Sequence, residues 1–434
     1  KLEKMSDQGE RRPRFHRYAS SDNALYSVET SSASSESDLD ENSESDGSGE
    51  FDKSLPATHR YLGRLDNVGG YTILDEGQVI PGMLAIHTNT LVFPGFTLPL
   101  VLRDYETDQL LEDIKKGYMF ALICTDKVKT RLYEYGVIME VYETSARRGV
   151  INLKAKGRQR CEILPDTMTR NPWARMQKLT VKILGEPNIK SPISNTQLQT
   201  LKARRTNFGS DYQTLMRNYK HRRYHLSQFP YASWVYDRNE LSYLVDLITR
   251  SLAKFYTKEH LPQDPTSLSY WFVQNYQLTH EERLDILKCP SVLERLRLEL
   301  RYLKMKRSLI CGRCSIEIAN QSDVFAMSRE GVQSNYCNPG GQVYETITVS
   351  EAQNYITSGE PSKQFTWFPG YAWTIIQCKC CASHLGWLFT SNNHHPPRFF
   401  GLAHSCLDIK KMEVSDDNES CATEGDEFKQ MQVS

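Results

Sequence analysis

Two copies of one short motif constrain this chain more than any other feature. Cys311-Gly-Arg-Cys314 and Cys378-Lys-Cys-Cys381 each set two thiols at the C-x-x-C spacing, where both sulfurs of a tight turn reach two corners of a tetrahedron. Together they predict a closed four-thiolate site for one structural zinc ion. A single pair would also fit a redox motif, whereas two pairs favour the metal. Residues 315–377 lie between the pairs, too many for a short zinc ribbon. A small β domain must therefore sit between them, with the metal clamping its two ends. Cys380 could stand in for Cys381, but the matched spacing favours Cys381. Cys124, Cys161, Cys289, Cys337, Cys406 and Cys421 read as ordinary small residues.

The surrounding composition agrees with that chemistry. The 11 cysteines follow no framework of a small secreted domain, no apolar signal segment opens the sequence, and no run approaches the roughly 20 apolar residues of a membrane span. The expectation is a soluble protein of a reducing compartment, where paired cysteines hold metals more often than they form disulfides. Lys plus Arg number 53 and Asp plus Glu number 53, so no global field recruits nucleic acid or an anionic membrane. A chain of 434 residues has material for two or three domains.

Texture divides the chain. Ser20 to Glu50 is Ser, Asp, Glu and Gly with almost no large apolar residue, which predicts a disordered acidic tail over residues 1–55. Residues 414–434 repeat that composition. Between Gly70 and Leu184 short apolar runs predict strands at Val79 to Ile86, Thr90 to Phe93, Phe120 to Cys124, Gly136 to Val141 and Val150 to Leu153, interrupted by one helix from about Asp108 to Lys116. From Ser233 the period is helical, with Leu241, Leu244, Val245, Ile248, Leu252 and Phe255 on one stripe. Thr279 with Glu282 and Ser291 with Glu294 fit capping boxes on either side of Pro290, and Leu293, Leu296, Leu300 and Leu303 form a second stripe. The segment Arg204 to Arg223 is basic and aromatic but matches no RNA-binding module, so it reads as a solvated surface.

Aromatic residues crowd the same quarter as the zinc motif. Trp367, Phe368, Tyr371, Trp373, Trp387 and Phe389 include three of the six tryptophans. They could be plain core. Against that, Trp367-Phe-Pro-Gly-Tyr-Ala-Trp373 carries a Pro-Gly turn, which tends to display rings at a surface. No Asp or Glu lies between Glu360 and Asp408, so a cage built from these rings suits a neutral, compact ligand better than a methylated lysine.

The stretch from Leu309 to Leu407 resembles the thalidomide-binding domain of the cereblon family, substrate receptors of a cullin-RING ubiquitin ligase. The residues that carry the resemblance are Cys311 and Cys314, Asn338-Pro339, Glu345-Thr346, Trp367 through Trp373, and Gln377-Cys378 through Cys381-Ala-Ser-His-Leu-Gly-Trp387. Upstream, Gln78-Val-Ile-Pro81, Leu98-Pro-Leu100, Gly136 and Gly157-Arg-Gln-Arg160 are similar to the N-terminal domain of Lon proteases, which that family shares. The resemblance implies a multidomain α+β chain: a mostly β Lon N-terminal-like domain over residues 68–185, a helical bundle over 186–305 that grips the damaged-DNA-binding protein adaptor of the ligase, and a zinc-bound all-β domain of β-tent type over 306–413. It implies a non-catalytic, cytoplasmic and nuclear receptor that presents proteins for ubiquitination. Trp367, Trp373 and Trp387 would wall a pocket for cyclic imides, with Phe389 as its floor, backbone groups near Phe365 and Trp367 meeting the imide edge, and Asn338 and Pro339 closing the rim. Phe365 departs from the family pattern, which has histidine there; a backbone contact survives the change and a side-chain hydrogen bond does not.

Cys378 to Phe389 is similar also to the zinc segment of B-type methionine sulfoxide reductases. Those enzymes need a thiolate nucleophile shortly downstream, and Gly401 stands in its place, with Cys406 five residues too late. No Gly-Lys pair exists, so no phosphate-binding loop accompanies the Lon-like part and a protease reading fails. A reader of methylated lysine is the remaining alternative.

Overall fold

The computed structural model describes residues 16–18, 51–68, 71–103, 119–125, 132–147, 150–165, 175–187, 235, 240–253, 256 and 261–412. Most of the two expected tails, the helix expected at 108–116, the basic segment 204–223 and Phe255 lie outside them. The N-terminal tail expected to reach residue 55 ends earlier: Phe51 packs edge-on against Phe368 and Tyr371, and the Leu55 carbonyl accepts the Arg329 N–H at 2.9 Å.

In the N-terminal module six strands, β1 (Val79–Thr88), β2 (Thr97–Arg103), β3 (Met119–Thr125), β4 (Leu132–Arg147), β5 (Val150–Ile163) and β6 (Met176–Ile183), form one sheet, to which the two-residue strand Asp66–Asn67 adds a seventh along β4. Its order is β4-β3-β1-β6-β5-β2, and β4 pairs again with β5, so five strands close into a barrel with β2 appended. All seven residues of β3 are buried. The two-residue strand period explains this: Ala121 and Ile123 join Ile138, Val181 and Ile183 in one core, while Phe120 and Leu122 join Met139 and the helices in another. Gly136 allows the closure, since a Cβ there would lie 2.5 Å from the Leu122 carbonyl oxygen.

The expected strand at Thr90 to Phe93 is a buried loop instead. Its backbone crosses β5 where Gly157 has no side chain; a Cβ at 157 would meet the Phe93 carbonyl oxygen at 2.5 Å. The apolar run signals burial, but its backbone is claimed by that crossing and not by a ladder. Pro99 sits in β2, an edge strand of the sheet, where a missing N–H costs least.

Among the described residues four helices follow: α1 (Leu241–Leu252), α2 (Pro265–Asn275), α3 (His280–Lys288) and α4 (Val292–Leu303). Leu244, Ile248 and Leu252 of the expected stripe are buried. Thr279 and Glu282 form a reciprocal capping box, whereas Ser291 accepts the Glu294 N–H without a return bond. On α4 the expected leucine stripe is off-centre. The buried face is Val292, Arg295, Leu296, Glu299 and Tyr302, because Arg295 donates to Glu186 at 2.8 Å and to Ser269 at 3.0 Å, and Ser269 donates to Glu299 at 2.6 Å. Arg160 of the barrel shares Glu186 and donates to the Leu287 carbonyl at the end of α3.

The C-terminal module has two sheets. Strands β7 (Lys306–Cys311), β8 (Glu317–Asn320), β9 (Gln333–Cys337), β10 (Val343–Val349), β11 (Tyr355–Ser362), β12 (Ala372–Cys378), β13 (His384–Thr390), β14 (Arg398–Ala403) and β15 (Leu407–Met412) arrange as a six-stranded sheet, β9-β10-β14-β13-β12-β11, and a three-stranded one, β8-β7-β15. Alternation splits the larger sheet into two faces. Ile347, Ile376, Phe400 and Leu402 pack with Cys311 and Cys378; Tyr336, Phe389 and Phe399 pack with Trp367, Phe368 and Tyr371.

Helix α3 joins all three parts. Arg283 makes a bidentate pair with Glu345 of β10, at 2.7 and 2.6 Å, donates to the Leu91 carbonyl at 3.1 Å and lies over the Phe93 ring. One residue earlier, Glu282 accepts two bonds from Arg307 of β7 and pairs with Lys411 of β15.

Candidate zinc centre and aromatic cage

The two knuckles adopt one local conformation. In each, the N–H of the first cysteine donates to the carbonyl five residues on, Ile316 or Ser383, and the residue four on, Ser315 or Ala382, returns an N–H to the cysteine carbonyl at 2.9 Å. Those two residues take left-handed backbone angles, with φ of 59° and 55°. A turn wound this tightly points its two sulfurs to the same side.

The four sulfurs of Cys311, Cys314, Cys378 and Cys381 lie within 4.8 Å of one another. Cys311 is 3.6 Å from Cys381 and Cys314 is 3.5 Å from Cys378, sulfur to sulfur. Zinc at about 2.3 Å from each sulfur of a tetrahedron sets separations of about 3.8 Å. The donor set therefore fits a structural zinc, which closes the site and leaves no position for chemistry. The hydroxyl and backbone N–H of Ser383 hold the Cys381 thiol down to about 6, which eases the proton loss that metal binding requires. Cys380 is exposed and outside the cluster, so the ambiguity in the second motif resolves to Cys381.

Across the sheet, strand register aligns the rings. Trp373 pairs with Phe389 and Phe389 with Phe399, while Trp387 pairs with Gly401, so all lie on one face. Trp367 comes from the loop between β11 and β12. It is buried, 8% exposed, stacked on Tyr336 at 4.9 Å and edge-to-face with Trp387 at 4.5 Å. Phe389 lies beneath, fully buried and stacked on Phe399. Trp373 and Trp387 are half-buried. Trp373 touches neither of the other two tryptophan rings among the described residues; its indole N–H donates to the Gln364 carbonyl at 2.8 Å. That bond fixes the segment leading to Phe365, which is 55% exposed with φ of 54°.

The structure thus gathers Trp367, Trp373, Trp387, Phe389 and Phe365 around one end of the sheet. Asn338 and Pro339 go to the seam with the barrel, where they line a cavity of about 190 Å³ with Tyr61, Val101 and Asn152. Sequence reasoning missed Tyr336, Tyr344 and His384. Tyr344 and His384 pack edge-on against Trp387, and burial pushes His384 below its ordinary pKa, so it is neutral at pH 7. Their signal was strand alternation, which places Tyr336 and Tyr344 opposite one another in β9 and β10.

Gly401 also has a structural reason. A Cβ there would lie 2.8 Å from the buried Phe389 ring and 3.0 Å from Thr346, so the reductase nucleophile has no room at that position.

A Lon-type barrel joined through helices to a four-thiolate β domain defines a two-module class, and family comparison divides the chain the same way. Residues 83–305 match the substrate-binding domain of the ATP-dependent protease La (LON), and residues 308–424 match the Yippee zinc-binding/DNA-binding/Mis18 family. The chain is 33% identical to protein cereblon of Gallus gallus over 85% of its own length and 86% of that protein's. Against protein cereblon of Danio rerio it is 32% identical, covering 82% and 87%, and against that of Drosophila yakuba 34%, covering 83% and 62%. The chain belongs to the cereblon family.

Proposed function

We propose that this chain is the substrate receptor of a cullin-RING ubiquitin ligase, acting in cytoplasm and nucleus, and that it takes a cyclic imide, free or at the C-terminus of a damaged protein, between Trp367, Trp373 and Trp387 above Phe389. The observation that carries the ligand class is the loop from Gln364 to Trp367. The Gln364 carbonyl is held by Trp373, while the backbone N–H and C=O groups of Phe365 and Trp367 have no protein partner among the described residues. An imide edge presents one N–H donor between two carbonyl acceptors, and such groups answer it in kind.

Electrostatics supports a neutral guest. His384 is uncharged, and Glu345, next to Tyr344 in β10, is committed to Arg283. A methylated lysine would lack a carboxylate partner there. The chain itself is non-catalytic in this reading: the zinc is coordinatively closed and Gly401 excludes a thiol. Residues 186–305 bind the damaged-DNA-binding protein adaptor, and protein substrates are presented to the ligase's other subunits.

Calorimetric titration of the full chain with glutarimide, trimethyl-lysine and methionine sulfoxide tests the ligand class. Only glutarimide should give heat that saturates at one site. Saturable binding of trimethyl-lysine without glutarimide would replace the reading with a methyl-lysine reader.

A further inference from the structure

Phe365 combines two costs that proteins avoid together. It is 55% exposed, and its backbone is left-handed at φ 54°, a region disfavoured for residues with a bulky side chain. Neither cost is offset by burial of its own ring. The residue is not on a slack loop either, because the Gln364 carbonyl before it accepts the Trp373 indole N–H and Trp367 two residues later is stacked on Tyr336. The backbone that carries this exposed apolar ring is therefore anchored on both sides by walls of the cage, through Trp373 before it and Trp367 after it.

A free imide would occupy only the cage. A polypeptide ending in a cyclic imide must also leave it, and with the imide edge on the backbone groups of Phe365 and Trp367 its next residue would lie near that loop. Resting on the cage reading above, we propose that Phe365 reads the residue preceding the imide in a polypeptide ligand, selecting a large apolar side chain there. A ring that loses its water against leucine or phenylalanine gains from the contact; against serine or aspartate it gains little. Histidine at this position would present a polar edge, so this chain's preference is its own and not a property of the cage.

The test is a matched series of short peptides with a C-terminal glutarimide ring and Leu, Phe, Ser or Asp before it, titrated into the full chain beside free glutarimide. Leu and Phe peptides should bind about fivefold tighter than the Ser peptide. Phe365→Asn keeps a residue that tolerates left-handed angles while removing the ring, and should bring the Leu-to-Ser ratio close to one, with zinc content by elemental analysis confirming an intact module. If free glutarimide binds but the parent shows no Leu preference, or if the preference persists in Phe365→Asn, the assignment to Phe365 is wrong. If free glutarimide itself does not bind, the cage reading fails and takes this one with it.

Discussion

The two faces of the six-stranded sheet in the C-terminal module solve opposite problems with alternate residues of the same strands. On one face the cysteines, Ile376, Phe400 and Leu402 form a closed unit in which the metal ligands are mutually satisfied. On the other, Trp373 and Trp387 stay half-buried, and the loop above them keeps backbone groups uncommitted. The difference shows how a recognition surface can be left open without being soft: rigidity comes from the far side of a sheet one residue thick. Changes on the zinc face should thus abolish everything, and changes on the cage face should abolish binding alone.

The largest effect should come from Cys378→Ser. Structural zinc sites contribute folding free energy outright, of order 10 kcal/mol in small modules, so loss of one ligand should unfold the C-terminal module. Elemental analysis should fall from one zinc per chain to none, with loss of its cooperative melting transition.

Next is the seam with the rest of the molecule. Arg283→Met strips the buried Glu345 of its bidentate guanidinium partner while Gln274 and His404 stay beside it, which should cost about 3 kcal/mol, measured by denaturant unfolding. Arg283→Met with Glu345→Leu should recover much of that loss, because an apolar pair of similar volume leaves no charge behind.

On the cage face the tryptophans should separate. Trp387→Ala and Trp373→Ala should weaken glutarimide binding by about 2 kcal/mol or more with zinc retained. Trp367→Ala should weaken it and also lower stability by about 3 kcal/mol, because that ring is buried against Tyr336 and Phe389. Equal stability losses at all three positions would show that the rings are simply core.

The smallest effect concerns pH. His59, in the segment that runs over the aromatic face, is 3% exposed, and burial together with nearby Lys154 lowers its pKa from 6.5 to about 3. Its Nδ1 shares a hydrogen bond of 2.9 Å with the Tyr61 hydroxyl, which accepts the Cys337 N–H. The neutral ring is the one that docks. The stabilisation is complete above about pH 6.5 and is lost as pH falls toward 3, by about tenfold at pH 5.5. The protection factor of the Cys337 amide, its exchange corrected for the intrinsic pH dependence, should fall over that window, and His59→Gln should flatten the response.

What could be read from sequence depended on range. The knuckles were legible because each is a local turn, and the capping box at Thr279 for the same reason. The crowding of aromatic residues was legible as a cluster, but not the division of labour within it, since Trp367 is sunk by Tyr336 from a strand distant in sequence and Phe389 by Phe399 through the pairing of neighbouring strands. The polar face of α4 was not legible, because Arg295 and Glu299 look solvent-bound until Glu186 and Ser269 arrive from elsewhere. The seam position of Asn338 and Pro339 depends on Gly341 lying against the Val101 carbonyl, a contact between residues far apart in the chain.

The first knuckle is completed from far downstream: Gly312 donates its N–H to the Cys406 carbonyl at 3.0 Å, and β7 pairs along its length with β15. During synthesis, Cys311 and Cys314 leave the ribosome long before Cys378, Cys381 and the strand ending at Met412. Metal capture by the full ligand set must wait for Cys381, and the pairing of Lys411 with Glu282 must wait for nearly the whole module to emerge. All strands of the barrel precede Cys311 in the chain, so they emerge while the first pair of thiols still lacks its partners.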